Sequence, residues 1–300
     1  MLDYRVDTFL AVCKHNSYTK AAEELCITQP GVSQHIQYLE KEYRCRLFEY
    51  NNRQLKLTEA GEIFHQYALN AKVNDRSIRE KMVGAEEGQR ALRFAATLTI
   101  GEFTLAPILT RFMDALKGYS ITMYVENTEE VLKMLQEGRV HFALVEGLFN
   151  KSGYQTRLFK NANYILVSPV DHPLAMKERV HLEDLMEETM IVREQGSGSR
   201  EILERALMDK NVTLQDFERI IEIGNVSVIK QLVKSGLGLS FMYKDAAREE
   251  IRRGELAEIP VADFIIQREF NFIYLKDSII QEELEGIRKT LKKIYRENNL

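Results

Sequence analysis

The hydrophobic positions in residues 18–42 predict two short helices joined by a tight turn. Along the second helix, apolar side chains recur every three or four residues, at Val32, Ile36, Leu39 and Tyr43. Thr28 is placed to cap this helix, and Pro30 in its first turn has no hydrogen bond to lose. The other face carries Gln and Ser, which suits a helix that reads base edges in the major groove. A helical hairpin with a solvated polar face is the alternative.

Two further elements flank this helix pair. Residues 3–14 form a predicted first helix whose buried stripe comprises Val6, Phe9, Leu10 and Cys13. Residues 47–57 alternate polar and apolar positions around Asn51-Asn52, which is a turn signal. This alternation predicts a two-stranded hairpin.

Thr58 caps a predicted long helix that weakens at Gly84 and Gly88. Its apolar residues follow alternating steps of four and three, at Ala60, Phe64, Tyr67, Ala71 and Ile78, with polar Asn74 in the same series. Such a seam on an exposed helix favours a partner helix, and one polar residue within it can fix the register. Packing of the seam against its own chain is the alternative.

From Leu92 onward the pattern changes to strands that alternate with helices. The predicted strands are Leu92–Ala96, Ile121–Glu126, Phe142–Glu146, Tyr164–Ser168, Met190–Arg193, Ile220–Ile223, Leu239–Met242 and Phe270–Leu275. Helical patterns lie between most of them, as in residues 128–138, 199–210 and 225–235. This alternation predicts an α/β region with parallel sheets.

Composition narrows the class of protein without pointing to nucleic acid. The 300 residues are 45% hydrophobic, enough for two or three domains, and no apolar run reaches the ~18 residues of a membrane span. The N-terminus lacks the pattern of a signal peptide, so we expect a cytoplasmic protein without membrane contact. The net charge is −4, and residues 1–58 hold eight Lys or Arg against seven Asp or Glu. Any DNA contact must therefore depend on local placement of charge.

All three cysteines, Cys13, Cys26 and Cys45, fall in the N-terminal region. Their number is odd and none forms a C-x-x-C pair, so we expect buried free thiols. No histidine has the spacing that a zinc site with these cysteines would need, and no metal is expected.

Small polar residues and glycines follow three of the predicted strands, in residues 97–101, 193–200 and 222–225. Because ligands of open α/β sheets bind beyond the carboxyl ends of strands, these segments predict a shared cleft. Backbone N–H groups at helix starts, beside Ser or Thr hydroxyls, favour an anion such as a carboxylate, sulfate or phosphate. Simple helix capping is the alternative for each segment.

The same segments lack the usual signatures of catalysis. Gly196-Ser197-Gly198-Ser199 does not fit G-x-S-x-G, and no P-loop lysine follows the glycines. The six histidines are scattered along the chain. Catalysis by a pair of carboxylates is still an alternative, because acidic residues are numerous in the chain.

Three sequence blocks resemble the N-terminal signature of LysR-type transcriptional regulators: AAEEL, TQPGVSQHIQYLEKEYRCRLF and LKLTEAGE. The resemblance implies an all-α winged helix-turn-helix DNA-binding domain in residues 1–58 and a long linker and dimerisation helix with a hinge in residues 59–88. It further implies a two-lobed α/β regulatory domain, similar to periplasmic binding proteins, in residues 89–300. Lobe I would comprise 89–161 and 268–300 and lobe II 162–267, with crossings at Asn161–Asn163 and Gln267–Glu269.

The resemblance also assigns contacts to individual residues. DNA contacts are implied for Thr28, Gln29, Pro30, Ser33, Gln34, His35, Gln37 and, in the wing, Arg53. Effector contacts are implied for Thr97, Thr99, Arg193, Ser197, Ser199 and Asn225, with Glu146 on the cleft edge. The chain departs from the family pattern at Glu49-Tyr50, where an arginine is common, and at His141 and Gln195. A carboxylate at Glu146 beside an anion favours a ligand that also carries an amine.

The predicted function is a sequence-specific regulator of transcription rather than an enzyme. Its expected partners are double-stranded DNA with an interrupted dyad near a promoter, a small effector and further copies of the chain in a homodimer or homotetramer, with RNA polymerase as a candidate. The effector would be an anionic metabolite that modulates DNA binding, and no cofactor is expected. An α/β enzyme or solute-binding module, with N-terminal helices that serve oligomerisation, is the alternative.

Overall fold

The computed structural model describes residues 2–52, 54–88, 90–262 and 264–298, with Glu87 described by its backbone alone. The chain divides into two compact units. The first holds Met1–Gly88 together with Gln136–Gly138 and Leu275–Gln281. The second holds Gln89–Leu135, Arg139–Tyr274 and Glu282–Leu300.

In the first unit, a helix trio is followed by a hairpin and a long helix. The elements are α1 Tyr4–His15, α2 Tyr18–Leu25, α3 Gln29–Tyr43, β1 Phe48–Asn51, β2 Gln54–Leu57 and α4 Glu59–Glu87. Both predicted caps are confirmed: Thr28 accepts a hydrogen bond from the Gly31 N–H at 3.2 Å, and Thr58 accepts one from the Gly61 N–H at 2.9 Å. The predicted hairpin is also confirmed, since β1 and β2 pair in antiparallel register.

The core of this unit forms where α1, α4 and β1 meet. Phe9 is fully buried, and its ring centroid lies 5.2 Å from that of Phe48 and 4.8 Å from that of Phe64. The predicted stripe on α1 is partly wrong, because Leu10 and Cys13 are only half-buried. Thr8, Ala11 and Val12 are buried instead, so α1 is covered on a broader face than the stripe implied.

Helix α4 makes contacts within its own chain at the polar position of its seam. The Asn74 side chain donates to the carbonyl of Asp277 at 3.0 Å and accepts from the N–H of Ile279 at 3.1 Å. Both hydrogen-bonding ends of this amide are therefore satisfied within the first unit, where it ties α4 to the 275–281 segment. Large apolar side chains of α4 remain exposed, namely Ile63, Tyr67, Ile78, Met82 and Val83.

In the second unit, a seven-stranded sheet has the order β10-β6-β11-β5-β3-β4, and β9 pairs with β6 off this path. A separate two-stranded sheet joins β7 to β8. The strands are β3 Arg90–Thr97, β4 Tyr119–Glu126, β5 Phe142–Val145, β6 Tyr154–Ser168, β7 Thr189–Val192, β8 Arg219–Glu222, β9 Ser240–Tyr243, β10 Ala257–Ile259 and β11 Ile266–Leu275. The helices are α5 Leu109–Ala115, α6 Thr128–Gln136, α7 Gly198–Met208, α8 Val226–Lys234, α9 Lys244–Arg252 and α10 Gln281–Glu297.

The prediction of parallel sheets is wrong for the larger sheet, which is mixed. Strand β3 pairs in parallel with β4 and β5, and β7 pairs in parallel with β8. Strand β11 instead runs antiparallel to β5, and β9 and β10 run antiparallel to β6. Strand β6 lies between β10 and β11 in this sheet, so these two strands are not paired with each other.

The regulatory region is two-lobed, and the long strands β6 and β11 run through both lobes. Lobe I is built on a stack of phenylalanines, with Phe142 centred 5.0 Å from Phe94 and 4.5 Å from Phe272. Lobe II has an aliphatic core that includes Ile191, Ile229 and Met242. The residues predicted for the crossings lie within these two strands, where the Gln267 amide donates to Asn163 at 3.1 Å.

Candidate functional site

The exposed face of α3 carries most of the residues predicted to contact DNA. Buried Val32, Ile36 and Leu39 fix the opposite face of the helix in the core. The side chains left facing solvent are those of Thr28, Gln29, Pro30, Gln34 and Gln37, with Ser33 partly covered. Gln amides and Ser hydroxyls can donate and accept at base edges, so this face has the chemistry of a reading surface. Arg53, predicted for the wing, lies outside the described residues.

His35 is placed differently from the other predicted DNA-contacting residues. Its Nδ1 lies 2.9 Å from the Thr8 hydroxyl of α1, and its ring meets that of Tyr4 edge-on at 5.0 Å. The ring is half-buried between these two side chains. The structure thus uses His35 as a contact between α3 and α1.

The cysteines are free thiols, as predicted, but their burial is uneven. Cys13 and Cys45 are half-buried, whereas Cys26 is exposed. The expectation of a buried thiol is wrong for Cys26, because this residue ends α2 with a left-handed backbone (φ 54°) that turns its side chain outward. Burial raises the pKa of the Cys13 thiol to about 12, so it stays protonated at neutral pH.

In the second unit, polar residues from several strand ends come together in the interior. Thr97 ends β3 and Thr99 follows it, while Glu146 follows β5 and Arg193 follows β7. All four side chains are buried, as are Ser197 and Ser199 at the start of α7. Buried polar groups need hydrogen-bond partners, and here the partners are largely one another.

Glu146 lies in the interior and not on the cleft edge, so that prediction is corrected. The residue is only 3% exposed, and Thr97 donates a hydrogen bond from its hydroxyl to the carboxyl group. Burial raises the pKa of Glu146 to about 7, against the opposing effect of the Arg193 charge. At neutral pH a large share of this carboxyl is therefore protonated, and the expected repulsion of an anion is weakened.

Arg193 is held by its neighbour in sequence. Its Nε and one terminal nitrogen each donate to Glu194 at 2.7 Å, which forms a bidentate ion pair. The guanidinium is about 5% exposed, whereas Glu194 is 26% exposed. An incoming anion would find a fixed, desolvated cation whose present partner can rotate toward solvent.

A small cavity lies beside Thr99, Arg193 and Ser199, and Tyr243 completes its wall. The Tyr243 side chain is 1% exposed, and its hydroxyl has no hydrogen-bond partner within the described part of the chain. The Ser197 and Ser199 hydroxyls lie 2.9 Å apart. These groups, which we call the strand-end site, can donate several hydrogen bonds to one small anion.

Sequence reasoning missed Tyr243 and misplaced Asn225. Tyr243 ends β9 directly before α9, and a tyrosine at the end of an apolar strand was the signal that could have identified it. Asn225 is exposed, and its side chain accepts from the Val228 N–H at 3.0 Å as the cap of α8. The next residue, Val226, lines the cavity in its place.

The described residues show neither a metal site nor a membrane-spanning helix. They contain no group of three His, Cys, Asp or Glu side chains able to hold a metal ion. None of the described helices has both the length and the apolar character needed to cross a bilayer.

Comparison with known protein families gives two matches along the chain. Residues 5–62 match the bacterial regulatory helix-turn-helix protein, lysR family, and residues 85–294 match the LysR substrate binding domain. The chain belongs to the LysR family. It is a DNA-binding transcriptional regulator with an effector-binding domain.

Relatives and solved structures agree with this assignment. The RuBisCO operon transcriptional regulator of Allochromatium vinosum is 33% identical over 89% of this chain and 87% of its own. A mutant of Corynebacterium glutamicum OxyR has the same fold (TM-score 0.63, 20% identity, 98% of this chain and 92% of that one). The CcmR regulatory domain of Synechocystis PCC6803, solved in complex with 2-PG, matches with TM-score 0.60 and 25% identity, over 67% of this LysR-family chain and 97% of that one.

Proposed function

We propose that this regulator senses a small anionic metabolite at the strand-end site and reads DNA with the exposed face of α3. The observation that carries the effector half is the buried Arg193 side chain, which lines one cavity together with Thr99, Ser199 and Tyr243. A desolvated cation surrounded by hydroxyl donors has the chemistry to bind a carboxylate or phosphate. The related CcmR domain is in complex with 2-PG, which supports this class of ligand.

The strand-end site is closed in this structure. Its cavity has a volume of about 10 Å³, close to the space that a single water molecule needs. An effector of several heavy atoms can therefore enter only if the lobes separate or the lining side chains move. A ligand that binds the open and closed arrangements unequally shifts their populations, which gives effector binding a route to DNA affinity.

Glu146 tunes the charge of this site. With its pKa raised to about 7, the protonated carboxyl can donate a hydrogen bond to a bound anion. An amine on the effector is then unnecessary at and below neutral pH, in contrast to the expectation from a carboxylate at this position. The effector class that fits is a bare anion or hydroxy acid.

In the DNA-binding half, Gln29, Ser33, Gln34 and Gln37 contact base edges, and Thr28 and Pro30 set the start of the helix. His35 acts through α1 and holds α3 in place, because its ring is engaged by Thr8 and Tyr4. Arg53 contributes a backbone or minor-groove contact from the wing. The proposed domain limits are those predicted from the sequence: residues 1–58, 59–88 and 89–300.

Self-association places more than one DNA-binding domain on the same DNA site. The exposed apolar residues of α4, which include Ile63, Tyr67 and Met82, have the composition of a helix that packs on a second copy. Two or four copies would then face an interrupted dyad near a promoter, with RNA polymerase as a further partner. The chain acts in the cytoplasm, without enzymatic activity and without a cofactor beyond its effector.

The experiment uses the full chain and a DNA site selected from a random pool. Melting temperature and DNA affinity are measured with 2-PG, sulfate and dicarboxylates. We expect one of these anions to raise the melting temperature and change the DNA affinity. Tyr243→Phe and Ser199→Ala should each lower the affinity for that anion about tenfold, which is the effect of losing one hydrogen bond to a charged group. Ser152→Ala, at an exposed loop position, is the matched control. No response to any anion would mean that the buried hydroxyls serve only the fold.

A further inference from the structure

A second cavity lies between α7, the connection from β5 to β6, and β11. Its volume is about 570 Å³, within the range of ~300–1,000 Å³ that small-molecule sites occupy. It shares no lining residue with the strand-end site. We call it the α7–β11 cavity, and its polar lining includes Lys151, Asn161, Arg205, Gln267, Arg268 and Asn271.

The lining of this cavity has an excess of positive charge. Three cationic side chains, of Lys151, Arg205 and Arg268, face one acidic side chain, that of Glu269. The Lys151 ammonium lies 3.2 Å from the Glu269 carboxylate, so these two charges balance each other. Two guanidinium groups remain without a balancing carboxylate among the described residues that line the cavity, although the chain as a whole carries a net charge of −4.

Neither guanidinium is fully satisfied by the surrounding protein. Within the described residues, the Arg205 side chain has no hydrogen bond or ion pair, and it projects from the C-terminal half of α7. The Nε of Arg268 is buried and lacks a hydrogen-bond partner, while a terminal nitrogen donates to the neighbouring Gln267 carbonyl at 3.2 Å. A buried charged donor without an acceptor is costly, and a ligand that supplies the acceptor would remove that cost.

We propose that the α7–β11 cavity is a second anion site, which binds a small dianion between Arg205 and Arg268. The ligand class is a phosphate monoester or a dicarboxylate, because planar guanidinium groups pair with both in bidentate geometry. The amides of Asn161 and Gln267 supply additional donors and acceptors around the anion. This site is separate from the strand-end site and could be filled at the same time.

The position of the cavity gives the second anion a way to act on the first. Asn161 lies on β6, and Gln267 and Arg268 lie on β11, the two strands that run through both lobes. A ligand that ties α7 of lobe II to these strands favours one lobe arrangement over another. By linkage, an anion in this cavity changes the affinity of the strand-end site, and the reverse.

The test measures binding of inorganic phosphate and of succinate to the full chain by calorimetry. Arg205→Gln and Arg268→Gln should each lower the affinity for the preferred anion at least about tenfold, because charge-assisted hydrogen bonds are lost. Arg253→Gln removes the same charge from an exposed position at the end of α9, and Ser199→Ala alters the strand-end site. Arg253→Gln should change this affinity less than about twofold, whereas Ser199→Ala should weaken only an anion that binds in the strand-end site. Thermal unfolding of each variant checks the fold, and Arg205 is exposed enough to be replaced safely.

The results separate the two sites. Preference for phosphate over succinate identifies a phosphate monoester as the ligand class, and the reverse identifies a dicarboxylate. Unchanged binding in both arginine variants, equal loss in Arg253→Gln, or no binding of either anion to the unmodified chain would overturn the second site. Loss in Ser199→Ala alone would place the anion in the strand-end site, which overturns this inference while supporting the proposed effector site.

Discussion

The ammonium group of Lys160 on β6 lies 2.7 Å from the carboxylate of Asp245 at the start of α9. Their side chains are 14% and 8% exposed. Thr104, in the π-helical turn Ile100–Leu105 that follows Thr99, donates to the same carboxylate at 2.9 Å, and Arg248 donates to it at 2.9 Å. One carboxylate at the start of α9 therefore binds both β6 and the turn that follows β3.

Asp245→Asn should destabilise the chain by about 3 kcal/mol, because removal of one partner leaves a largely buried lysine without its counter-charge. Urea unfolding followed by circular dichroism measures this change. Glu249→Gln, which breaks the exposed pair with Arg252 on the same helix, is the matched control and should have little effect. Similar losses in the two variants would show that the Asp245 contacts are no stronger than a surface pair.

Glu146 should make stability depend on pH. Its pKa is raised from 4.5 to about 7 in the folded chain, so between these values the unfolded chain loses a proton that the folded chain keeps. The folded state therefore loses stability as pH rises from 4.5 to about 7, by up to about 3 kcal/mol, and stays level above that range.

Glu146→Gln removes this titration, and the glutamine oxygen can still accept from Thr97. The stability of the variant relative to the unmodified chain should rise between about pH 5 and pH 8. Unfolding midpoints in urea at the two pH values give the comparison. A difference that does not vary with pH would mean that Glu146 titrates near its ordinary value.

The two lobes approach closely at Gly147 and Gly198. Gly147 has φ +96°, and a Cβ built on it would lie 2.7 Å from the Gly198 Cα. Gly147→Ala should lower the unfolding free energy by at least about 2 kcal/mol, since it adds left-handed strain to a clash with backbone. Gly118→Ala, where nothing lies within 4 Å and φ is not left-handed, is the control for thermal unfolding. An unaffected melting temperature in Gly147→Ala would indicate that the lobes are not held this closely.

Local sequence patterns predicted the helices, strands and caps of this protein better than the contacts between distant segments. Thr28 and Thr58 were predictable as caps because a cap depends on residues three positions away. The direction of β11 was not, because it depends on a pairing with β5 more than a hundred residues earlier in sequence. The seam on α4 was visible, but the bonds from Asn74 to the 275–281 segment depend on the tertiary fold.

The same division holds within the strand-end site. Arg193, Ser197 and Ser199 could be identified because they lie between the end of a strand and the first turn of a helix. Burial of Glu146 and the unpartnered Tyr243 hydroxyl could not, because they result from how β5 and β9 are covered by the lobes. His35 looked equivalent to its polar neighbours in α3 until α1 was placed against it.

Gln29 and His35 should have separable effects on DNA recognition. Gln29 is exposed at the first turn of α3, so Gln29→Ala should relax base choice at one position of the selected site, by about 1–3 kcal/mol, and leave stability unchanged. His35→Ala should instead lower the unfolding free energy and weaken binding to all DNA sequences alike, because it removes the contacts to Thr8 and Tyr4. Selection from a random pool and urea unfolding, applied to both variants, distinguish the two roles. If Gln29→Ala keeps the original sequence preference while His35→Ala changes it, His35 reads the bases and the orientation proposed for α3 is wrong.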